Sequence, residues 1–78
     1  MTMHAQQWQQ PAPGFWVASL TTGRAEILNS ESQPGLTFIR VFDRWGRRKM
    51  QVSVYGDGLD DCKRTAHDML VGAGLLTQ

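Results

Sequence analysis

The segment 36–76 constrains the fold more than any other part of the chain. Apolar residues alternate with others over 36–42 and 48–55, and this two-residue period is typical of β-strands. The residues between them, 43–46, are Asp-Arg-Trp-Gly, with Asp at the first position of a turn and Gly at the position that takes left-handed backbone. A tighter two-residue turn would force the bulky Trp45 to positive φ. The segment therefore predicts a β-hairpin with the wider turn.

The residues after this hairpin predict a helix. Its apolar positions recur at spacings of three and four, so they form one stripe that packs on the sheet: Leu59, Cys62, Ala66, Met69, Leu70 and Ala73. We expect Asp57 to cap this helix, with Asp60 and Asp61 in the first turn, where negative charge suits the helix dipole. Gly74 is a natural left-handed stop, after which residues 75–76 fold back or meet a partner.

A further hairpin lies nearer the N-terminus. Residues 15–20 and 24–28 are rich in β-branched and aromatic side chains, and they bracket a Thr-Thr-Gly connection at 21–23. That connection suits a type I turn followed by a left-handed glycine, the G1-bulge hairpin. This register places Val17 opposite Ile27. Both faces of the hairpin carry apolar groups, so the sequence leaves open which face is buried.

Residues 1–14 are polar, rich in glutamine, and closed by prolines and a glycine. We interpret them as a flexible N-terminal tail, whose Trp8 docks on the domain or on a neighbouring subunit. Residues 15–78 form a single domain. A chain of 78 residues buries only about 60% of the surface that it exposes when unfolded, and such small domains often recover stability by association. A homodimer is therefore expected as one possibility.

The elements together predict an α+β fold, in which a four-stranded antiparallel sheet of two hairpins is covered on one face by a C-terminal helix, in the order β-β-β-β-α. On the second hairpin, the expected core face carries Leu36, Phe38, Arg40, Phe42, Arg48, Met50, Val52 and Val54. The opposite face then carries Thr37, Ile39, Val41, Lys49, Gln51 and Ser53. The element order resembles that of single-strand nucleic-acid binders of the Whirly and PUR kind. No sequence motif is shared, so the resemblance carries no residues across.

Several classes of function are excluded or disfavoured by composition. The single Cys62 excludes an internal disulfide and a multi-cysteine zinc site, and it favours a reducing, cytoplasmic location. No apolar run approaches the ~20 residues that span a bilayer, so no membrane association is expected. Cys62 and His67 lie about 140° apart around a helix axis, so they share no metal or catalytic pair. We expect no enzyme, no cofactor and no metal site.

Positive charge is concentrated although the net charge is only +1. Five of the eight basic residues fall within positions 40–49, where they surround Trp45. Guanidinium groups bind phosphate as planar forks, and an exposed indole can stack on an unpaired base. The same residue types are also enriched in protein interface hot spots. The candidate binding residues are Arg40, Arg44, Trp45, Arg47, Arg48 and Lys49.

Four interpretations of the protein follow. The leading hypothesis is a small non-enzymatic protein that binds nucleic acid through the basic, Trp-bearing hairpin. The alternative is a protein-protein interaction module or inhibitor, for example a short phage or mobile-element protein that blocks a host complex. A purely structural subunit would instead dimerise through Trp16, Leu28, Leu75 and Leu76. A solvated turn that only keeps the hairpin soluble is the simplest account of the charges.

Overall fold

The computed structural model describes residues 8–77, which form five strands and one helix. These are β1 (Gln9–Ala12), β2 (Phe15–Leu20), β3 (Gly23–Asn29), β4 (Leu36–Asp43), β5 (Arg48–Tyr55) and α1 (Leu59–Gly72). All strand pairs are antiparallel, and the sheet order follows the chain from β1 to β5. The helix packs across β3 and β4. The predicted α+β class and C-terminal helix are confirmed, but the predicted count of four strands is wrong.

The additional strand is β1, which lies inside the segment 1–14 that the sequence assigns to a tail. It pairs with β2 at the sheet edge, with Gln9 opposite Val17 and an irregular register beyond. Pro11 has no N–H, so a strand that contains it is restricted to an edge. Trp8 packs against the core, and this apolar anchor holds a segment whose polar composition hid the strand. Residues 1–7 lie outside the described part of the chain.

The hydrophobic core lies between the sheet and the helix. The strands contribute Ala18, Ala25, Ile27, Ile39 and Val41, and the helix contributes Cys62, Ala66, Met69 and Leu70. Ile27 pairs with Ile39 across β3 and β4, and both are fully buried. Trp16 pairs with Ile27 and packs on the same cluster. The buried side chains on the sheet are small or β-branched, which allows the helix to approach closely.

The predicted core face of the second hairpin is wrong for β4. Val41 pairs with Met50, whereas its neighbour Phe42 pairs with Arg48, so Lys49 is an extra residue in a β-bulge. One inserted residue moves every later side chain of a strand to the other face relative to its partner. Val52 therefore lies on the helix side with Ile39 rather than with Phe38. The side chains of Phe38, Arg40 and Phe42 lie on the opposite face of the sheet, with those of Gln51 and Ser53.

The first hairpin also has a tighter turn than predicted. Trp16, not Val17, lies opposite Ile27, and the loop is the two residues 21–22. Gly23 belongs to β3 and does not have positive φ, so the predicted G1 bulge is wrong. A Cβ atom at Gly23 would lie 2.1 Å from the carbonyl oxygen of Phe42. Glycine is required here because the β4 backbone approaches it closely.

The helix begins differently from the sequence prediction. Its N-cap is Gly58 in extended backbone, with no capping hydrogen bond from a side chain, so Asp57 is not the cap. Asp60 and Asp61 do occupy the first turn, as predicted. Their negative charge offsets the positive end of the helix dipole in the absence of a side-chain cap.

The helix end matches the prediction and is a Schellman motif. Gly74 has φ +77°, and its N–H donates to the carbonyl oxygen of Val71 at 3.0 Å. The N–H of Leu75 donates to the carbonyl oxygen of Leu70 at 2.9 Å. Leu75 and Leu76 then fold back onto the core. The Thr22 hydroxyl donates to the Leu75 carbonyl oxygen and joins this end to the β2–β3 turn. Within residues 8–77 no helix is long and apolar enough to cross a membrane.

Candidate functional site

The turn between β4 and β5 is built around the side chain of Asp43. Its Oδ1 atom accepts hydrogen bonds from the backbone N–H groups of Trp45 and Arg47, both at 2.9 Å. The N–H of Gly46 donates to the Asp43 carbonyl oxygen at 3.0 Å, and Gly46 has φ +81°. This is the Asp-first, Gly-last turn that the sequence predicts. These hydrogen bonds fix the position of the Trp45 backbone.

The Asp43 carboxylate is adapted to this role electrostatically. The hydrogen bond from the Arg47 N–H is the main cause that lowers the pKa of Asp43 below its ordinary value, while burial acts in the opposite direction. The N–H of Trp45 and the charges of Arg47 and Lys49 lower this pKa further. Because hydrogen bonds to the charged form favour it, the carboxylate is ionised near neutral pH and keeps the turn closed.

The Trp45 indole is directed into solvent. Its exposed fraction is 73%, whereas Trp8 and Trp16 pack against the core. The guanidinium carbons of Arg44 and Arg47 lie 5.3 and 6.0 Å from its ring centroid, within the range of cation–π attraction. The exposed ring face and the two guanidinium groups therefore form one small surface, which can offer stacking and phosphate contacts together.

We term residues 44–49 the hairpin tip. Its four cations are exposed. They are Arg44, Arg47, Arg48 and Lys49. Within residues 8–77, ion pairs join Arg24 to Glu26, Arg64 to Asp61, and His67 to Asp68, so no tip cation takes part in an ion pair. Arg48 donates from Nη1 to Oε1 of Gln51 at 2.8 Å, which orients it without removing its charge.

Arg40 is separated from the other predicted site residues. It lies within β4, on the face away from the helix that we term the open face, and it is half-buried. Three residue steps along the strand, about 10 Å at 3.4 Å per residue, separate it from Asp43. Its guanidinium carbon is 5.9 Å from the Phe38 ring centroid, and its Nε atom is buried without a hydrogen-bond partner among the described residues. The six predicted residues are thus five at the tip and one on the open face.

Sequence reasoning missed Arg24, which joins the open face to the tip. Its guanidinium carbon lies 4.1 Å from the Phe42 ring centroid, and its Nε donates to Oε2 of Glu26 at 2.9 Å. Phe42 in turn pairs with Arg48 at the start of the tip. No local signal in the sequence identifies Arg24, because its proximity to Phe42 depends on the pairing of β3 with β4.

The charge distribution separates the two sides of the molecule. Six of the eight basic residues lie on the open face or the tip: Arg24, Arg40, Arg44, Arg47, Arg48 and Lys49. Four of the seven acids lie on the helix or just before it: Asp57, Asp60, Asp61 and Asp68. In the described part of the chain, no group of three or more His, Cys, Asp or Glu side chains could hold a metal ion.

Comparisons with protein-family models, with curated proteins and with solved structures found no match to this chain.

Proposed function

We propose that this protein binds single-stranded nucleic acid through the hairpin tip, without catalysing a reaction. The observation that carries the proposal is the exposed Trp45 ring, held on a fixed turn near the guanidinium groups of Arg44 and Arg47, which form no ion pair within residues 8–77. An indole face stacks on any base, provided that the base is unpaired. A duplex hides its base faces, so this surface favours a single strand.

The cations supply the remaining affinity. Arg44, Arg47, Arg48 and Lys49 can each contact a phosphate, and each contact releases counterions from the nucleic acid. Arg24 and Arg40 lie further along the open face, beside aromatic rings. They extend the basic surface from the tip toward the middle of the sheet, so a strand of several nucleotides can follow it.

The proposal is tested by fluorescence anisotropy with a labelled single-stranded oligonucleotide of mixed sequence, and with its duplex. The slope is that of the logarithm of the association constant plotted against the logarithm of the salt concentration. Each phosphate contact contributes about −0.7 to this slope for a single strand, so four contacts predict a slope near −2.8. Replacing Arg44→Ala and Arg47→Ala together should lower the magnitude of this slope by about 1.4. The double variant Lys63→Ala and Arg64→Ala removes the same charge from the helix and should leave the slope unchanged.

Stacking is tested at Trp45. One base stacked on an aromatic ring contributes about 1–3 kcal/mol, so Trp45→Ala should weaken binding of the single strand about 5- to 150-fold. Trp45→Phe keeps an aromatic face and should retain most of the affinity. Binding that is absent, insensitive to salt, or equal in wild type and Trp45→Ala would contradict the proposal.

A protein-interaction module is the second candidate function. Exposed apolar side chains away from the tip favour it, since Tyr55 at the end of β5 is 65% exposed and Leu59 at the start of α1 is 36% exposed. Exposed aromatic residues serve as anchors in protein interfaces. Capture of a protein from lysate that survives nuclease treatment and is lost in Tyr55→Ala would favour this function over the first.

A further inference from the structure

The two edges of the sheet are built differently. The β1 edge is four residues long, contains Pro11 and has an irregular register, which are features that blunt an edge against further pairing. The β5 edge is eight residues long, and residues 50–55 (MQVSVY) contain neither a charge nor a proline. Such a segment on an open edge is prone to pair with another strand. Among the described residues, no strand covers it.

The outward backbone groups of β5 can be assigned from its pairing with β4. The N–H of Gly56 donates to the carbonyl oxygen of Gly35 at 2.9 Å, so these two residues form a hydrogen-bonded pair. Hydrogen-bonded and non-hydrogen-bonded pairs alternate along an antiparallel ladder. Gln51, Ser53 and Tyr55 therefore direct their N–H and C=O groups away from β4, toward the open edge.

We propose that β5 pairs antiparallel with β5 of a second copy of this chain, about a twofold axis at Val52, to form a continuous ten-stranded sheet. In this register the outward groups of Gln51 meet those of Ser53 in the second copy. On the helix side Met50 meets Val54 of the second copy, and the two Val52 side chains meet each other. Apolar side chains thus pair with apolar ones across the junction.

Charge complementarity identifies the second copy as the partner. β5 begins with the cations Arg48 and Lys49, directly after Arg47, and it ends two residues before Asp57, with Asp60 and Asp61 in the first turn of the helix. Antiparallel self-pairing brings the cationic end of each copy against the acidic end of the other. Arg47 lies opposite Asp57 of the second copy, and twofold symmetry produces this contact twice.

Within one chain these charges cannot meet. About 24 Å of strand separates Arg48 from Tyr55 at 3.4 Å per residue. The pairing also buries side chains at this junction that are exposed in the single copy, where Met50 is 38% exposed and Tyr55 is 65% exposed. Trp45 lies outside the paired residues, whereas Arg47 takes part both in this pairing and in the phosphate contacts proposed for the tip, so the dimer is measured without nucleic acid.

The first test is the mass in solution by sedimentation velocity over a range of concentrations. The wild-type chain should sediment as a dimer. Ser53→Pro removes an outward N–H that β4 does not use, so it should give a monomer with an unchanged far-ultraviolet circular dichroism spectrum. Ser53→Thr keeps the N–H and should remain a dimer.

The second test uses charge reversal and does not rely on a proline. Arg47→Glu or Asp57→Arg alone should raise the dimer dissociation constant about 2- to 30-fold, the effect of losing two exposed ion pairs related by symmetry. The double variant should recover the wild-type value, because the reversed charges again face each other. Asp68→Arg, an exposed charge reversal on the helix away from the acids at 57, 60 and 61, is the matched control and should leave the dissociation constant unchanged.

Two results would overturn the proposal. One is a wild-type chain that stays monomeric at the highest concentration reached, which would leave this edge for a strand of a different protein. The other is a dimer that Ser53→Pro leaves intact and that shows no recovery in the charge-reversal pair, since its interface would then lie elsewhere.

Discussion

Replacing Gly23 by alanine should strongly destabilise the domain, although only one methyl group is added. The new Cβ would lie 2.1 Å from the Phe42 carbonyl oxygen and 3.1 Å from the Asp43 Cα. An ordinary C···O contact is about 3.3 Å, so the first distance is roughly 1.2 Å too short. The obstacle is backbone at the end of the β3–β4 ladder, not the flexible end of a side chain. β3 and β4 must therefore separate where Gly23 pairs with Asp43.

The size of the effect follows from three contributions. Overpacking of this kind destabilises by about 1–3 kcal/mol, and weakening one ladder hydrogen bond adds about 1 kcal/mol. Alanine also restricts the unfolded chain more than glycine does, and this effect stabilises the folded state by about 0.7 kcal/mol. The net loss is about 1.3–3.3 kcal/mol, which corresponds to a fall in Tm of about 5–26 °C for a domain of this size.

Urea and thermal unfolding followed by far-ultraviolet circular dichroism measure this loss. Gly72→Ala is the matched control, because nothing lies within 4 Å of its added Cβ and the residue ends the helix. In that place alanine should raise the stability by about 0.5–1 kcal/mol, so the same added atom acts in opposite directions. A Gly23→Ala variant as stable as the wild type would refute the close approach of β3 and β4.

Three further predictions concern single side chains. The pKa of Asp43 is lowered in the folded state. The ionised carboxylate therefore stabilises the fold at pH values above its ordinary pKa of 3.8, and this stabilisation is lost as the pH falls through the lowered pKa. Asp43→Asn should therefore be less stable than wild type at pH 7, with the two Tm values converging in acid; equal values at pH 7 would contradict this role. Burial, together with the negative charges of Asp57 and Asp61, raises the pKa of the Cys62 thiol. A maleimide should therefore label Cys62 slowly until urea unfolds the chain. Rapid labelling of the native protein would contradict this prediction, because it would show that the thiol is accessible. Iodide should quench the emission of Trp45 selectively, so Trp45→Phe should remove most of the quenchable fluorescence and Trp16→Phe should not.

The bulge at Lys49 explains why the sequence predicted the hairpin but not its buried face. The turn at 43–46 depends on Asp and Gly within four residues, and local chemistry of that kind is visible in a sequence. The face of β4 depends on a single inserted residue, which reverses the pairing of every later side chain. Phe38 and Phe42 are larger than Ile39 and Val41, so hydrophobic size favoured the wrong face.

The candidate site shows the same division between local and distant determinants. The exposed turn with Trp45 and its cations could be located from the sequence, because these residues are neighbours in the chain. Arg24 could not, since it lies beside Phe42 only through the pairing of β3 with β4. Arg40 was grouped with the tip by its position in the sequence, but the direction of its side chain places it on the open face.

The amino-acid sequence by itself determined the strand and helix segments of residues 15–76, the Asp43 turn, the Gly74 stop and the concentration of charge, because each depends on residues within one or two turns of chain. Tertiary structure alone decided the edge strand β1, the buried face of the sheet, the need for glycine at position 23 and the position of Arg24. Each of these depends on which strand lies beside which, and pairing between distant segments is set by packing of the whole core.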